Sequence, residues 1–198
     1  MTRSEPRYWR LLVLTAVAAA TDAVSYLGLG NVFPANMTGN TVLLAIGLVA
    51  GTPADAARSA AALGGFVVGA AVAGSLGGAK RWDRATKAWL TVDLALLVAA
   101  TVWWAQLGLH PLGGARYALI GLVSGAMGVQ SAVVSRLDVG VSTTYITGTW
   151  TSVSTWAGRL VRGERAHGEA AQHHVQLGVL VCYFGAALVA GWAYHLAS

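Results

Sequence analysis

Seven mostly apolar runs follow one another along the 198-residue chain, and each is about 20 residues long. A helix needs about 20 apolar residues to cross the roughly 30 Å hydrocarbon core of a bilayer. Only 11% of the residues are charged, against about 25% in soluble domains. The sequence therefore predicts an all-α, polytopic helical membrane protein. The seven predicted helical segments are 11–30, 32–51, 55–78, 86–107, 114–137, 141–160 and 175–196.

The net charge and the cysteine count limit the kinds of molecule that the chain can be expected to bind. The net charge of +5 comes mainly from arginines in short loops, which bears on membrane orientation and not on nucleic acid. The single cysteine, Cys182, can form no internal disulfide and supplies no metal cluster. We expect the lipid bilayer and a small solute as partners, with no nucleic acid, cofactor or metal. A homo-oligomer is compatible with the sequence.

Glycine pairs with small-xxx-small spacing recur in the apolar runs, among them Gly65/Gly69 and Gly121/Gly125. In membranes this spacing lets two helix backbones approach closely. We interpret these glycines as helix-packing positions and assign them no function.

Two polar clusters interrupt the apolar runs. The first Thr-Gly motif is Asn-Met-Thr-Gly-Asn-Thr at 36–41, and the second is Tyr-Ile-Thr-Gly-Thr-Trp at 145–150. A polar side chain in hydrocarbon costs a few kcal/mol unless it is hydrogen-bonded. Two such clusters at equivalent points of two half-chains therefore indicate a polar site or pathway.

The spacing around these motifs indicates a weak internal repeat. Asp22 precedes Thr38 by 16 residues and Gln130 precedes Thr147 by 17, and a Gly-Ala-Ala sequence follows each motif, at Gly69 and at Gly185. We predict one transmembrane domain, 1–198, arranged as three, one and three segments. Repeat 1 covers about 11–78, the linking helix about 86–108 and repeat 2 about 114–196.

The number of full crossings stays open between five and seven. If all seven segments cross with the N-terminus inside, eight of the thirteen lysines and arginines lie inside. If both Thr-Gly segments enter and leave on one side, eleven of thirteen lie inside and the repeats are inverted. The positive-inside tendency favours the second arrangement, whereas the length and apolarity of 32–51 favour crossing.

Intramembrane acids are the strongest candidates for function. A charge at mid-membrane costs about 2.5–3.5 kcal/mol on insertion scales, and Asp22 lies near the middle of its segment, with Asp93 nearer to an end.

Nine hydroxyl side chains lie between 142 and 155, more than one helix face can hold. The alternative is that these groups only fix helix packing. The predicted pathway residues are Asp22, Asn36, Thr38, Gly39, Asn40, Asp93, Gln130, Thr147, Gly148 and Thr149.

Several of these residues carry a family resemblance. Thr21-Asp22-Ala23, Phe33, the Met-Thr-Gly-Asn-Thr sequence at 37–41, Gly128-Val129-Gln130 and the sequence at 142–149 resemble the YoaK-like family of bacterial inner-membrane proteins of unknown function. The resemblance covers nearly the whole chain. It implies a multi-pass protein in the bacterial cytoplasmic membrane and a candidate transporter with no assigned substrate.

Three classes of function compete. The favoured one is a transporter or channel for a small solute, with a polar site between the two Thr-Gly motifs. A membrane partner or sensor without transport is the second, and a pocket that touches both motifs would distinguish the two. An intramembrane enzyme is the weakest, because all five histidines lie in loops or at segment ends and no nucleophile, base and orienting group converge. We therefore predict no catalytic residues.

Overall fold

The computed structural model describes residues 8–75, 83–137, 146–163 and 170–198. Within them the regular structure is entirely helical, which confirms the predicted all-α membrane fold and its seven helical segments. The helices are α1 (Tyr8–Gly28), α2 (Met37–Val49), α3 (Pro53–Ser75), α4 (Arg84–Leu107), α5 (Gly113–Arg136), α6 (Ile146–Val161) and α7 (Ala170–Ala197).

Five of the described helices, α1, α3, α4, α5 and α7, are long and apolar enough to cross a membrane. The other two are shorter as described: α2 has 13 residues, and α6 has 16, with residues 138–145 before it outside the described ranges. At about 1.5 Å per residue they extend roughly 20 and 24 Å, less than a hydrocarbon core of about 30 Å.

The second predicted segment, 32–51, is only partly helical, because α2 begins at Met37. Asn36 caps the helix there, its side chain accepting a hydrogen bond from the N–H of Gly39 at 3.4 Å. Residues 32–36, which include Pro34, are not helical. The Asn36 cap and the proline explain why helical structure starts five residues later than the apolar pattern predicts.

Helix α5 lies at the centre of the bundle and packs against α3 through glycines. A Cβ atom added at Gly65 or Gly69 would collide with the backbone carbonyl oxygen of Gly121 or Gly125, respectively. The packing role predicted for these small-xxx-small pairs is therefore confirmed. The same contacts show that α3 and α5 run parallel, since Arg136 at the end of α5 reaches Ala73 and Gly74 near the end of α3.

Contacts between the long helices define two faces of the bundle. Helix α7 runs parallel to α1, since Leu12 contacts Gly178 and Leu27 contacts Gly191. Helix α4 runs antiparallel to α5, because its first turns pack near Val133 and its last turns near Leu119. We call the face with the start of α1 the proximal face and the opposite one the distal face. The proximal face holds Tyr8, Ser75, Arg84, Arg136 and Ala170, and the distal face holds Gly28, Pro53, Leu107, Gly113 and Ala197.

The short helices begin inside the bundle and end at opposite faces. Residue Ala35, just before α2, bonds to Asp22 in α1, and the last turn of α2 lies with Gly30 and Asn31 at the distal face. Helix α6 begins beside Tyr183, at the middle of α7, and its later turns contact His173 at the proximal face. Helix α2 therefore has the position of a half-membrane helix, and the described part of α6 lies between the middle of α7 and the proximal face.

Candidate functional site

Asp22 joins three parts of the fold. Its carboxyl group is buried, with 4% of the residue exposed. One oxygen accepts a hydrogen bond from the N–H of Ala35 at 2.7 Å, and the other accepts from the Tyr183 hydroxyl at 3.0 Å. Asp22 therefore ties α1 to the segment that leads into α2 and to the middle of α7.

Asn40 holds the bend before α2. The side chain is completely buried, and its amide group makes two hydrogen bonds to the backbone of Phe33: Oδ1 accepts from the N–H at 3.0 Å and Nδ2 donates to the carbonyl oxygen at 2.6 Å. The ring of Phe33 stacks on Tyr26 in α1 at 4.9 Å between centroids. A Cβ at Gly39 would lie 3.0 Å from that ring. Asn40 and Gly39 thus shape the bend and do not line the cavity described next.

A cavity of about 190 Å³ lies where α2 and α6 begin. Both Thr-Gly motifs contribute to its wall, the first through Asn36 and Thr38 and the second through Thr147. Three of the predicted pathway residues thus share one cavity, and Asp22 is one hydrogen bond away, through Tyr183. The complete lining is Ala35, Asn36, Met37, Thr38, Phe66, Ile146, Thr147 and Tyr183.

The other predicted residues lie apart from this cavity. Thr149 is buried one helical turn into α6, and Gly148 is in the first turn of that helix. Gln130 is fully buried in α5 and donates to the carbonyl oxygen of Leu14 at 3.1 Å. Asp93 is buried in α4. None of the four is among the residues that line the cavity.

Tyr183 is the site residue that sequence reasoning missed. Tyrosine in membrane helices is usually found near the interfaces, whereas Tyr183 is near the midpoint of the 28-residue α7. A phenol at that depth needs a polar partner, and this depth was the signal available in the sequence. Its partner Asp22 is 161 positions away, so the pairing itself could not be read from local pattern.

Clustered histidine, cysteine and acidic side chains are the usual ligands of transition-metal ions. No group of three or more histidine, cysteine, aspartate or glutamate side chains is placed to hold one in the described parts of the chain. His173 instead bonds to Gln176 at 2.9 Å and stacks on Trp156 at 4.9 Å. Residues 164–169, which include Glu164, His167 and Glu169, lie outside the described ranges.

The architecture defines a multi-pass helical membrane protein in which two short helices begin at one small polar cavity. The chain belongs to a family described as a protein of unknown function, DUF1275, whose sequence model matches residues 10–198. It is 34% identical over 157 residues to the UPF0700 transmembrane protein YoaK of Bacillus subtilis (strain 168), a match that covers 77% of this chain and 68% of the relative. No solved structure matches. The predicted family resemblance is therefore confirmed.

Proposed function

We propose that the chain is a transporter or channel for a small polar solute, which binds in the cavity between the starts of α2 and α6. The observation that carries the proposal is that one cavity is lined by both Thr-Gly motifs. Its volume of about 190 Å³ is below the roughly 300–1,000 Å³ of pockets for drug-sized ligands. The solute is therefore a small molecule, of a few heavy atoms.

The charges around the cavity favour a neutral solute. The N-terminal end of a helix carries about half a positive charge, and α2 begins at this cavity with its cap residue Asn36 in the wall. The Asp22 carboxylate, connected to the cavity wall by Tyr183, has the opposite sign. A neutral polar solute with hydrogen-bonding groups meets the least electrostatic resistance in such a site.

The short helices support an inverted repeat. In the proposed arrangement α1, α2 and α3 form repeat 1, and α5, α6 and α7 form repeat 2. The half-helix of each repeat begins at the cavity and returns to its own face. Binding sites between inverted repeats with broken helices recur among membrane transporters. Five helices then cross the membrane, and α4 links the repeats.

The charge distribution supports an orientation in the bacterial cytoplasmic membrane. Among the described residues six cations lie at the proximal ends of helices and two, Arg58 and Arg116, at distal ends. Under the positive-inside tendency the proximal face is cytoplasmic. The six proximal cations are Arg10, Arg84, Lys87, Arg136, Arg159 and Arg162.

We propose that Asp22 positions the cavity wall and is not an acid or base in catalysis. Both of its oxygens are occupied, one by the backbone of Ala35 and one by the Tyr183 hydroxyl. Because neither oxygen is left for a reacting group, the burial of Asp22 fits a positioning role in the proposed transporter better than a role in an enzymatic step.

Water access to the cavity tests the proposal. Single cysteines replace Thr38 and Thr147 in a Cys182→Ala background, and a small hydrophilic methanethiosulfonate reagent is applied to the protein in proteoliposomes. Both thiols should react, because the cavity they line is polar. Thr149→Cys, at a buried position, and Leu188→Cys, at an outward-facing position in α7 that is 62% exposed, should not react. If the thiol of Thr38→Cys reacts no faster than that of Leu188→Cys, the cavity is not solvated and the proposal is refuted.

Flux through the same proteoliposomes separates a transporter from a sensor. Stopped-flow light scattering follows shrinkage and recovery of the vesicles with water, urea or glycerol as the permeant. Wild type should accelerate at least one of these fluxes, and modification of Thr38→Cys should remove the acceleration until the adduct is reduced. Labelling at Thr38 with no accelerated flux would favour the sensor.

A further inference from the structure

Four buried side-chain oxygens have no hydrogen-bond partner among the described residues: Thr15 Oγ1, Asp93 Oδ1, Ser124 Oγ and Gln130 Oε1. Thr15 and Gln130 are completely buried, and Asp93 is 4% exposed. An unpaired polar group costs about 1–3 kcal/mol in a protein interior, and a charged one costs more. Three of these oxygens, those of Thr15, Asp93 and Gln130, lie on three different helices, and a ligand that accepts their lone pairs would remove this cost.

Gln130 lies where α5 packs against α1. The Gln130 side-chain nitrogen donates to the carbonyl oxygen of Leu14 at 3.1 Å. This bond fixes the amide orientation and leaves Oε1 as the acceptor. Thr15 and Ala18 lie one turn apart on the buried side of α1, and Ala18 packs with Met127, one turn before Gln130 in α5. Thr15 therefore lies at the level of Gln130.

Packing brings Asp93 to the same level of the bundle. Before it in α4, Leu90 packs against Val129 and Val133 of α5. After it, Leu97 packs against Met127. Asp93 shares the buried stripe of α4 with Thr86 and Ala100, and Leu90 and Leu97 lie one turn to either side of it. The Asp93 carboxyl therefore faces the stretch of α5 that carries Gln130.

We propose that Asp93, Gln130 and Thr15 form a binding site for one sodium ion, separate from the cavity between α2 and α6. Carboxylate, amide and hydroxyl oxygens are hard ligands of the kind that hard cations take. A single carboxylate balances one positive charge, which favours a monovalent over a divalent ion. A bound cation also offsets the cost of a carboxylate inside the membrane. The site does not depend on the proposed transport function.

Sodium-dependent stability of the purified full chain tests the site. Thermal unfolding is followed by tryptophan fluorescence in NaCl and in choline chloride at equal ionic strength. For an ion at ten times its Kd, the midpoint should rise by about 3–6 °C. Equilibrium binding of radioactive sodium should give one ion per chain. No sodium-specific rise and no bound sodium in the wild type would overturn the proposal without reference to any variant.

Substitutions test whether the sodium-dependent rise in the unfolding midpoint depends on the cluster of Asp93, Gln130 and Thr15. Asp93→Asn should abolish both the shift and the sodium binding, and Thr15→Val should weaken binding with less change to packing. Asp22→Asn, a second buried carboxyl group outside the cluster, serves as the matched control and should keep the shift. If Asp93→Asn and Thr15→Val retain the wild-type response, the ion binds elsewhere. If acidification alone stabilises the wild type and sodium does not, Asp93 holds a proton and the sodium site is wrong.

Discussion

Replacement of Asn40 by alanine should destabilise the protein through the bend before α2. The substitution removes two hydrogen bonds, of 3.0 and 2.6 Å, to the Phe33 backbone. A backbone group left without its partner in the interior costs about 1–3 kcal/mol. Phe33 is only half-buried, so we take the lower part of that range for each group. The combined loss is then about 3 kcal/mol.

A loss of this size corresponds to a midpoint of thermal unfolding about 6–12 °C lower for a chain of this length. The measurement is fluorescence-detected unfolding of the purified protein in one detergent. Thr41→Ala is the matched control: Thr41 is the next residue, it is exposed, and its hydroxyl bonds only within α2, to the Met37 carbonyl oxygen at 2.8 Å. The control should unfold within about 2 °C of wild type, as exposed substitutions usually change stability by about 0.5 kcal/mol or less. If Asn40→Ala also unfolds at the wild-type temperature, the two bonds do not hold the bend.

Three further predictions concern packing and topology. Gly69→Ala should lower the unfolding midpoint, because the new methyl group would meet the Gly125 carbonyl oxygen at a cost of about 1–3 kcal/mol. Gly64→Ala is the control and should not lower the midpoint, because the space around its Cβ is open. Arg136→Ala should cost about 1–3 kcal/mol in the same assay, because its guanidinium donates to the Ala73 and Gly74 carbonyl oxygens at 2.7 and 2.6 Å; an unchanged midpoint would contradict this. The topology can be tested in intact cells that express single-cysteine variants in a Cys182→Ala background. A membrane-impermeant thiol reagent should label Thr52→Cys and leave Asp83→Cys unlabelled. If all seven segments cross the membrane, Asp83→Cys should be labelled and Thr52→Cys should not.

The number and length of the helices could be predicted because they depend on local apolarity. Each long run is sufficiently apolar to form one membrane helix whatever it packs against. The start of α2 could not be predicted in this way. Val32 and Phe33 are as apolar as a helix would require, but the Phe33 backbone bonds to Asn40 instead. A contact across seven positions decides the local structure, and hydrophobic pattern does not report such contacts.

The two Thr-Gly motifs of the candidate site could be predicted from the sequence, whereas the other residues that line the cavity could not. Thr-Gly pairs at matching places in the two half-chains led to Thr38 and Thr147, which do line one cavity. Asp93 and Gln130 were selected for the same reason, buried polarity, yet they lie elsewhere in the bundle. The cost of burying a polar group identifies residues that need partners. It does not identify which helices supply those partners, since that depends on the packing of distant segments.

The two proposed repeats place different chemistry at positions related by sequence spacing. Asp22 precedes the first Thr-Gly motif and accepts a hydrogen bond from Ala35, within its own repeat. Gln130 stands at the corresponding place before the second motif, but it donates to Leu14 in the other repeat. A carboxyl group that only accepts can fix the segment leading into a half-helix, while an amide can donate and still leave one oxygen for a ligand. The difference between aspartate and glutamine at these two positions is thus consistent with the proposed solute cavity beside the first and the proposed sodium site beside the second.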